Sequence, residues 1–272
     1  MQRKDGHIHS PYCPHGSSDN MEKYVQEAIH QGFEAITFTE HAPLPEGFTD
    51  PVPDKDSAMA KDDLSRYFKT LEMLKKAYQD HITIHSGLEL DFIEGFEHEI
   101  QTFIDAHGHQ LDELILSVHF LKLPDGSFIC LDFDEASFAA GIEATGSLQS
   151  LYRLYYQTVL QSVKNNLHFP CPVSIGHISL VHKFQSHFQR TFSDEDQIRD
   201  VLFAIKEKGF RLDVNGAGLV KPLCKETYPP PFAISLAQEK DIPLVYGSDA
   251  HSASGIGQGY ATIKPLLEGK KG

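Results

Sequence analysis

Seven short apolar runs alternate with stretches of helical periodicity along the 272 residues, and this alternation constrains the fold more than any other feature of the chain. The runs fall at 3–8, 34–39, 82–88, 113–118, 173–176, 210–214 and 244–247. Their near-continuous hydrophobicity is that of parallel strands buried on both faces, because a sheet wetted on one side would alternate apolar and polar residues. Amphipathic stripes separate most of them. Met21, Tyr24, Val25, Ala28 and Ile29 form the first, with Ser18 or Asp19 as the expected N-cap and Gly32 just past the end. Leu64, Tyr67, Phe68, Leu71, Leu74 and Tyr78 form the second. Later stripes run through Leu151, Tyr155, Val159 and Val163, and through Ile198, Val201, Leu202 and Ile205. Such alternation implies a parallel α/β architecture, either a closed barrel or an open doubly wound sheet, and one domain over residues 1–272 is expected.

The residues that end the strands separate the two architectures. A doubly wound nucleotide binder carries a glycine-rich turn after its first strand, whereas here the first strand runs into HIHSPYCPHG, with no GxGxxG. A barrel places its functional residues at the C-terminal ends of many strands. His7 and His9 end the first run, Glu40 and His41 the second, Glu89 the third and His119 the fourth. His177 follows the fifth, Asn215 the sixth, and Asp249 with His251 the seventh. Residues two apart on a strand point the same way, so His7 with His9 and Asp249 with His251 can each converge on neighbouring ions. One such pair would ordinarily be two hydrogen-bonded or exposed histidines. Its repetition around a barrel mouth is different, because imidazoles and carboxylates buried together are costly unless cations satisfy them. The donor set suits zinc, manganese or iron, and a carboxylate can bridge two ions.

The remaining titratable groups are read more conservatively. His30, His98, His107, His109, His168 and His187 fall outside the strand-end pattern and are expected at the surface. His85 shares a strand face with Glu89 and is either a donor behind a metal ligand or a hydrogen-bonded core histidine. Asp5 and Glu40 are candidates for orienting ligand imidazoles. Cys13, Cys130, Cys171 and Cys224 form no CxxC pair and read as buried thiols. A net charge of −14 argues against sequence-independent nucleic-acid binding, which relies on a lysine and arginine surface. No apolar leader or membrane-length run is present, so a cytoplasmic protein without membrane partners is expected.

The strings HIHSPYCPHG, TEHAPLP, GLELD, SVHF, GHISL, DVNGAGL and GSDAH resemble the successive motifs of the polymerase and histidinol phosphatase (PHP) family, and they span almost the whole chain. SPYCPHG, EHAPLP and GHISLVHKF resemble its histidinol-phosphate phosphatase branch more narrowly. The resemblance implies a distorted (β/α)7 barrel and a site of two or three divalent ions. Carried over to this sequence, His7, His9, Glu89 and Asp249 hold one ion, and Glu89 bridges to a second held with His119 and His177. His15, His41 and His251 hold the third.

A multinuclear site of this kind suits hydrolysis of a phosphate ester, with water as the nucleophile and no nucleophilic side chain. Asp249, His251 and a water on the metal are the candidate proton donors to the leaving oxygen, and the sequence does not choose among them. The resemblance narrows the substrate to a small phosphomonoester, L-histidinol phosphate, in histidine biosynthesis. It also directs attention to Lys183 as a phosphate contact, with Asn215 and Arg190 as further substrate-binding candidates. The segment 119–148 is expected to form loops over the mouth, where Asp132 or Asp134, or Asp91 and Glu94 nearby, could meet an ammonium group. Two other readings stand beside this one. The first is a 3′–5′ exonuclease or nucleotide phosphodiesterase on the same site, and the second is a metal-stabilised barrel with no activity.

Overall fold

The computed structural model describes residues 2–269. Its strands are β1 (Lys4–Ile8), β2 (Ala35–His41), β3 (Thr83–Asp91), β4 (Glu113–Ser117), β5 (Phe120–Lys122), β6 (Phe128–Cys130), β7 (Val173–Ile175), β8 (Arg211–Asn215) and β9 (Leu244–Gly247). Seven of them form one sheet in the order β1-β2-β3-β4-β7-β8-β9, every neighbouring pair parallel. The expected alternation is therefore present, and the sheet curls until its edges nearly meet. Just past β9, the Asp249 amide donates to the His7 carbonyl at 2.7 Å and the His9 amide to the Ala250 carbonyl at 3.0 Å. These bonds close a distorted (β/α)7 barrel.

Helices α1 (Met21–His30), α2 (Leu64–Tyr78), α3 (Glu97–His107), α4 (Glu135–Thr145), α5 (Leu148–Lys164), α6 (Glu195–Lys208), α7 (Ala217–Val220), α8 (Pro231–Glu239) and α9 (Tyr260–Glu268) connect the strands. The stripes read from the sequence are their buried faces, as with Leu64, Tyr67, Phe68, Leu71 and Leu74 on α2. The N-cap of α1 is Asn20, whose side chain accepts from the Lys23 amide, rather than Ser18 or Asp19. Asp19 takes the Lys23 ammonium instead, at 3.0 Å.

Residues 119–148 are not plain loops. They form the antiparallel β5–β6 hairpin and then α4. Phe48 packs its ring against Phe96, Phe120 and Phe128 at 5.1–5.4 Å, which fastens the excursion after β2 to this hairpin at the barrel mouth.

Asp5 has a different task from the one its sequence position suggested. Its buried carboxylate accepts the Ser248 amide at 2.8 Å and the Gly257 amide at 3.3 Å, and so ties β1 to the chain beyond β9. Burial raises its pKa to about 6, and those donors hold it down. No helix among the described residues is long and apolar enough to cross a membrane.

Candidate metal centre

Glu89, 1% exposed, sits at the middle of the barrel mouth and engages groups from four other strand ends. Its Oε1 accepts from the Ser117 hydroxyl at 2.5 Å and lies 2.8 Å from His177 Nε2 and 3.8 Å from His119 Nε2. Its Oε2 faces the other way, 3.2 Å from His41 Nδ1, 3.3 Å from His7 Nε2 and 3.4 Å from His9 Nε2. Asp249 Oδ1 approaches His9 Nε2 at 3.2 Å and His251 Nδ1 at 3.5 Å. His15, His41 and His251 complete the cluster, with ring centroids 5.2–5.9 Å apart. The structure thus brings all nine expected ligand residues into one mouth.

The far sides of the rings are held by the protein. His7 Nδ1 lies 3.1 Å from Asp213, His9 Nδ1 3.2 Å from Glu40 and His119 Nδ1 2.7 Å from Asp91. His15 Nδ1 donates to the Asp56 carbonyl at 2.9 Å. Such partners fix the tautomer and turn the other nitrogen inward. Most of the inward atoms are left without hydrogen bonds: Nε2 of His7 and His9, Nδ1 of His41 and Oε2 of Glu89 are all buried and unsatisfied, whereas His177 turns its Nε2 to Glu89 and leaves Nδ1 on the far side of its ring unpaired. Each would cost about 1–3 kcal/mol unpaired, so their convergence fits a site for cations rather than a polar core. Four subsets could hold an ion, with ligand atoms within 4.8 Å of one another: His7–His9–Glu89, Glu89–His119–His177, His41–Asp91–His119 and His9–Cys13–His41–His251.

The charges agree with that reading. Burial opposes the cationic form of His9 and His119, yet Asp249 and Glu40 raise the first to about 9, while Asp91 and Glu89 raise the second to about 10. Burial would likewise neutralise Glu89 and Asp249, but the surrounding imidazoles hold both well below the usual carboxylate range. His251 is pushed down to about 3 by burial and by His9. Asp249 is thus held as a carboxylate and His251 as a neutral imidazole, whose Nδ1 lies 3.1 Å from the Asp249 carbonyl.

Close packing leaves no room for side chains at two glycines of this region. A Cβ on Gly247 would lie 2.5 Å from both Asp213 Oδ1 and His7 Cβ, and one on Gly176 would lie 2.1 Å from the Ser117 hydroxyl that supports Glu89. Asp249 itself adopts φ 55°, a left-handed conformation uncommon outside glycine, as it turns from β9 into the mouth.

Three residues fall elsewhere than the sequence suggested. Asn215 spends its amide N–H groups on Asp213 and Asp249 at 3.2 and 3.1 Å, and its carbonyl accepts the Ala217 amide, so it positions carboxylates instead of reading substrate. Arg190 is not among the residues lining the cleft. It packs beside His182 and Asp194 in a buried polar cluster outside the mouth. His85 lies four residues before Glu89, toward the opposite end of the barrel, where burial and Lys4 lower its pKa. Lys183 does line the cleft, in an ion pair with Asp132 at 2.9 Å. Two of the four cysteines, Cys13 and Cys224, are buried; Cys130 and Cys171 are half-buried.

Sequence reasoning passed over Asp213, Ser117 and the role of Asp91. The signal for Asp213 was a carboxylate in an apolar strand two residues before Asn215 and hence on the same face. Asp213→Asn should weaken metal affinity by roughly 10- to 100-fold, read by competition with a chromogenic chelator. An unchanged affinity would reduce Asp213 to a packing role.

A family model described as the PHP domain matches residues 5–217, and a second, described as PHP-associated, matches residues 231–267. The chain belongs to the PHP family. It is 47% identical to the histidinol-phosphatase of Bacillus subtilis over 96% of this chain and 97% of that protein. A Deinococcus radiodurans protein assigned the same activity is 31% identical over 94% and 89%. Among solved structures, a Listeria monocytogenes protein assigned as a histidinol phosphatase matches with a TM-score of 0.90 at 39% identity, over 95% of this chain and 99% of that one. The Lactococcus lactis histidinol phosphate phosphatase, solved with zinc, L-histidinol and phosphate, shares the fold at a TM-score of 0.72 and 21% identity, over 98% and 93%.

Proposed function

We propose that this chain is a metal-dependent phosphomonoesterase that hydrolyses L-histidinol phosphate to L-histidinol and phosphate. The observation that carries the reading is the ring of unsatisfied imidazole nitrogens around Glu89. Near-full-length similarity to a histidinol-phosphatase supports the substrate.

Divalent cations bound here would activate a water and neutralise charge on the phosphoryl group. His7, His9, Glu89 and Asp249 are proposed to hold one, Glu89 with His119 and His177 a second, and His15, His41 and His251 a third. Zinc is supported by its presence in the Lactococcus relative, and manganese and iron suit the same donors. The protein's own residues set the geometry. Asp213, Glu40 and Asp91 aim the imidazoles, Ser117 steadies Glu89, and Asn215 steadies Asp249. Asp249, His251 or a water in the cleft would pass a proton to the leaving oxygen.

The cleft, about 610 Å³, suits a small molecule. Phe120, Phe133, Leu180 and Tyr228 give it apolar walls for an imidazole ring. The net charge of −14 disfavours the nuclease reading. Phosphate release from histidinol phosphate should exceed turnover of a dinucleotide by more than about 100-fold, since a diester has one fewer terminal oxygen to clamp. Efficient cleavage of the dinucleotide with histidinol phosphate untouched would install the nuclease reading instead, and hydrolysis of neither by metal-loaded protein would favour the inactive barrel.

A further inference from the structure

Lys183 and Asp132 form a charged patch of the cleft wall that the metal ligands do not use. Asp132 follows β6 and Lys183 follows the turn after β7, so two separate mouth segments meet in this pair. An ammonium group has three donors. Lys183 gives one to the Asp132 main-chain oxygen and one to Oδ2 at 2.9 Å, which leaves a third. Asp132 Oδ1 has only the Cys130 thiol at 3.5 Å, a weak donor. The pair therefore retains one cationic donor and one anionic acceptor, on two residues that line the same cleft.

The other cleft carboxylates are committed. Asp91 is taken by His119, and Glu89 and Asp249 by the imidazole ring cluster. Asp56, whose carbonyl fixes His15, is the remaining rival. Lys183 lies near enough to Asp249, and Asp132 near enough to His119 and His177, for their charges to be felt across the mouth. A group held at the metal centre is thus within the field of both.

We infer that the Lys183–Asp132 pair is a reader of zwitterions, Lys183 meeting the phosphate and Asp132 the ammonium of an ester whose amine sits on the carbon next to the ester carbon. The inference rests on the histidinol-phosphate reading above, because that substrate carries its two charges in this relation. It assigns specificity to a preformed ion pair, in which Asp132 both holds Lys183 and selects the amine.

The test compares L-histidinol phosphate with its deamino analogue, 3-(imidazol-4-yl)propyl phosphate, on metal-loaded wild type and Asp132→Asn. Wild type should favour the amine by roughly 10- to 100-fold in kcat/KM, the value of a charge-assisted hydrogen bond. In Asp132→Asn the preference should fall to within about threefold, a ratio that a change in active fraction leaves untouched. Inhibition by L-histidinol should weaken in Asp132→Asn, and inhibition by inorganic phosphate in Lys183→Met. Equal losses on both substrates would leave Asp132 as a holder of Lys183 only, and a surviving preference would move the ammonium elsewhere, to Asp56 first. Either result overturns the inference. Failure of metal-loaded wild type to hydrolyse either ester would instead sink the histidinol-phosphate reading itself.

Discussion

Glu89→Gln should lower kcat/KM by more than about 100-fold, beyond the 10- to 100-fold typical of losing a group behind a metal ligand. The reason lies in its two oxygens. One faces His177 and Ser117, the other His7, His9 and His41, so the carboxylate is shared between two sides of the cluster. An amide keeps the shape but removes the negative charge and replaces one acceptor with a donor, directed at nitrogens that already lack partners. Metal content should fall with activity, by elemental analysis of the purified variant. A variant with normal metal and normal rate would show that Glu89 does not bridge.

Chelation should abolish activity, and returning the metal should restore it while releasing protons. His7, held against the effect of burial well above the ordinary imidazole value by Glu89, Asp249 and Asp213, and His9 and His119, raised to about 9 and 10, are cationic at pH 7 to 8 when carboxylates alone surround them. A metal needs their lone pairs, so each must lose its proton on binding. His41 and His251 are already neutral, since burial lowers both. Apparent metal affinity should therefore rise as pH increases from about 7 to 10 and fall on acidification. Metal titrated into chelated protein in weak buffer at pH 8 should acidify the solution by about three protons per chain, one each from His7, His9 and His119. No proton release, or full activity in metal-free protein, would contradict the proposed chemistry.

Much of this site was readable because a barrel converts strand order into proximity. Once His7, Glu89, His119, His177 and Asp249 are placed at the ends of parallel strands, the topology alone brings them together. The supporting groups were harder to see. Asp213 and Asp91 lie inside strands, and a carboxylate there acquires meaning only when the ring it faces is known. Asp5 was misread because period two puts it on the face of His7, while closure of the sheet delivers the Ser248 and Gly257 amides to it first. Asn215 stands at a strand end like the ligands, but its hydrogen bonds are consumed by neighbouring carboxylates. Arg190 and Lys183 lie in irregular chain, where no periodicity fixes direction. The β5–β6 hairpin escaped notice because its strands are three residues each, too short for a pattern.

The seam of the barrel has a consequence for synthesis. His7 and His9 leave the ribosome well before Asp249 and His251, which follow β9, and the amide of Asp249 is what clasps the carbonyl of His7. A nascent chain holds imidazoles without the carboxylate and the strand that finish their pocket. Closure of the seam and completion of the candidate ligand cluster thus fall to the same few residues. A chain truncated after β8 would be a chelating peptide with an open sheet edge, prone to pair with other strands.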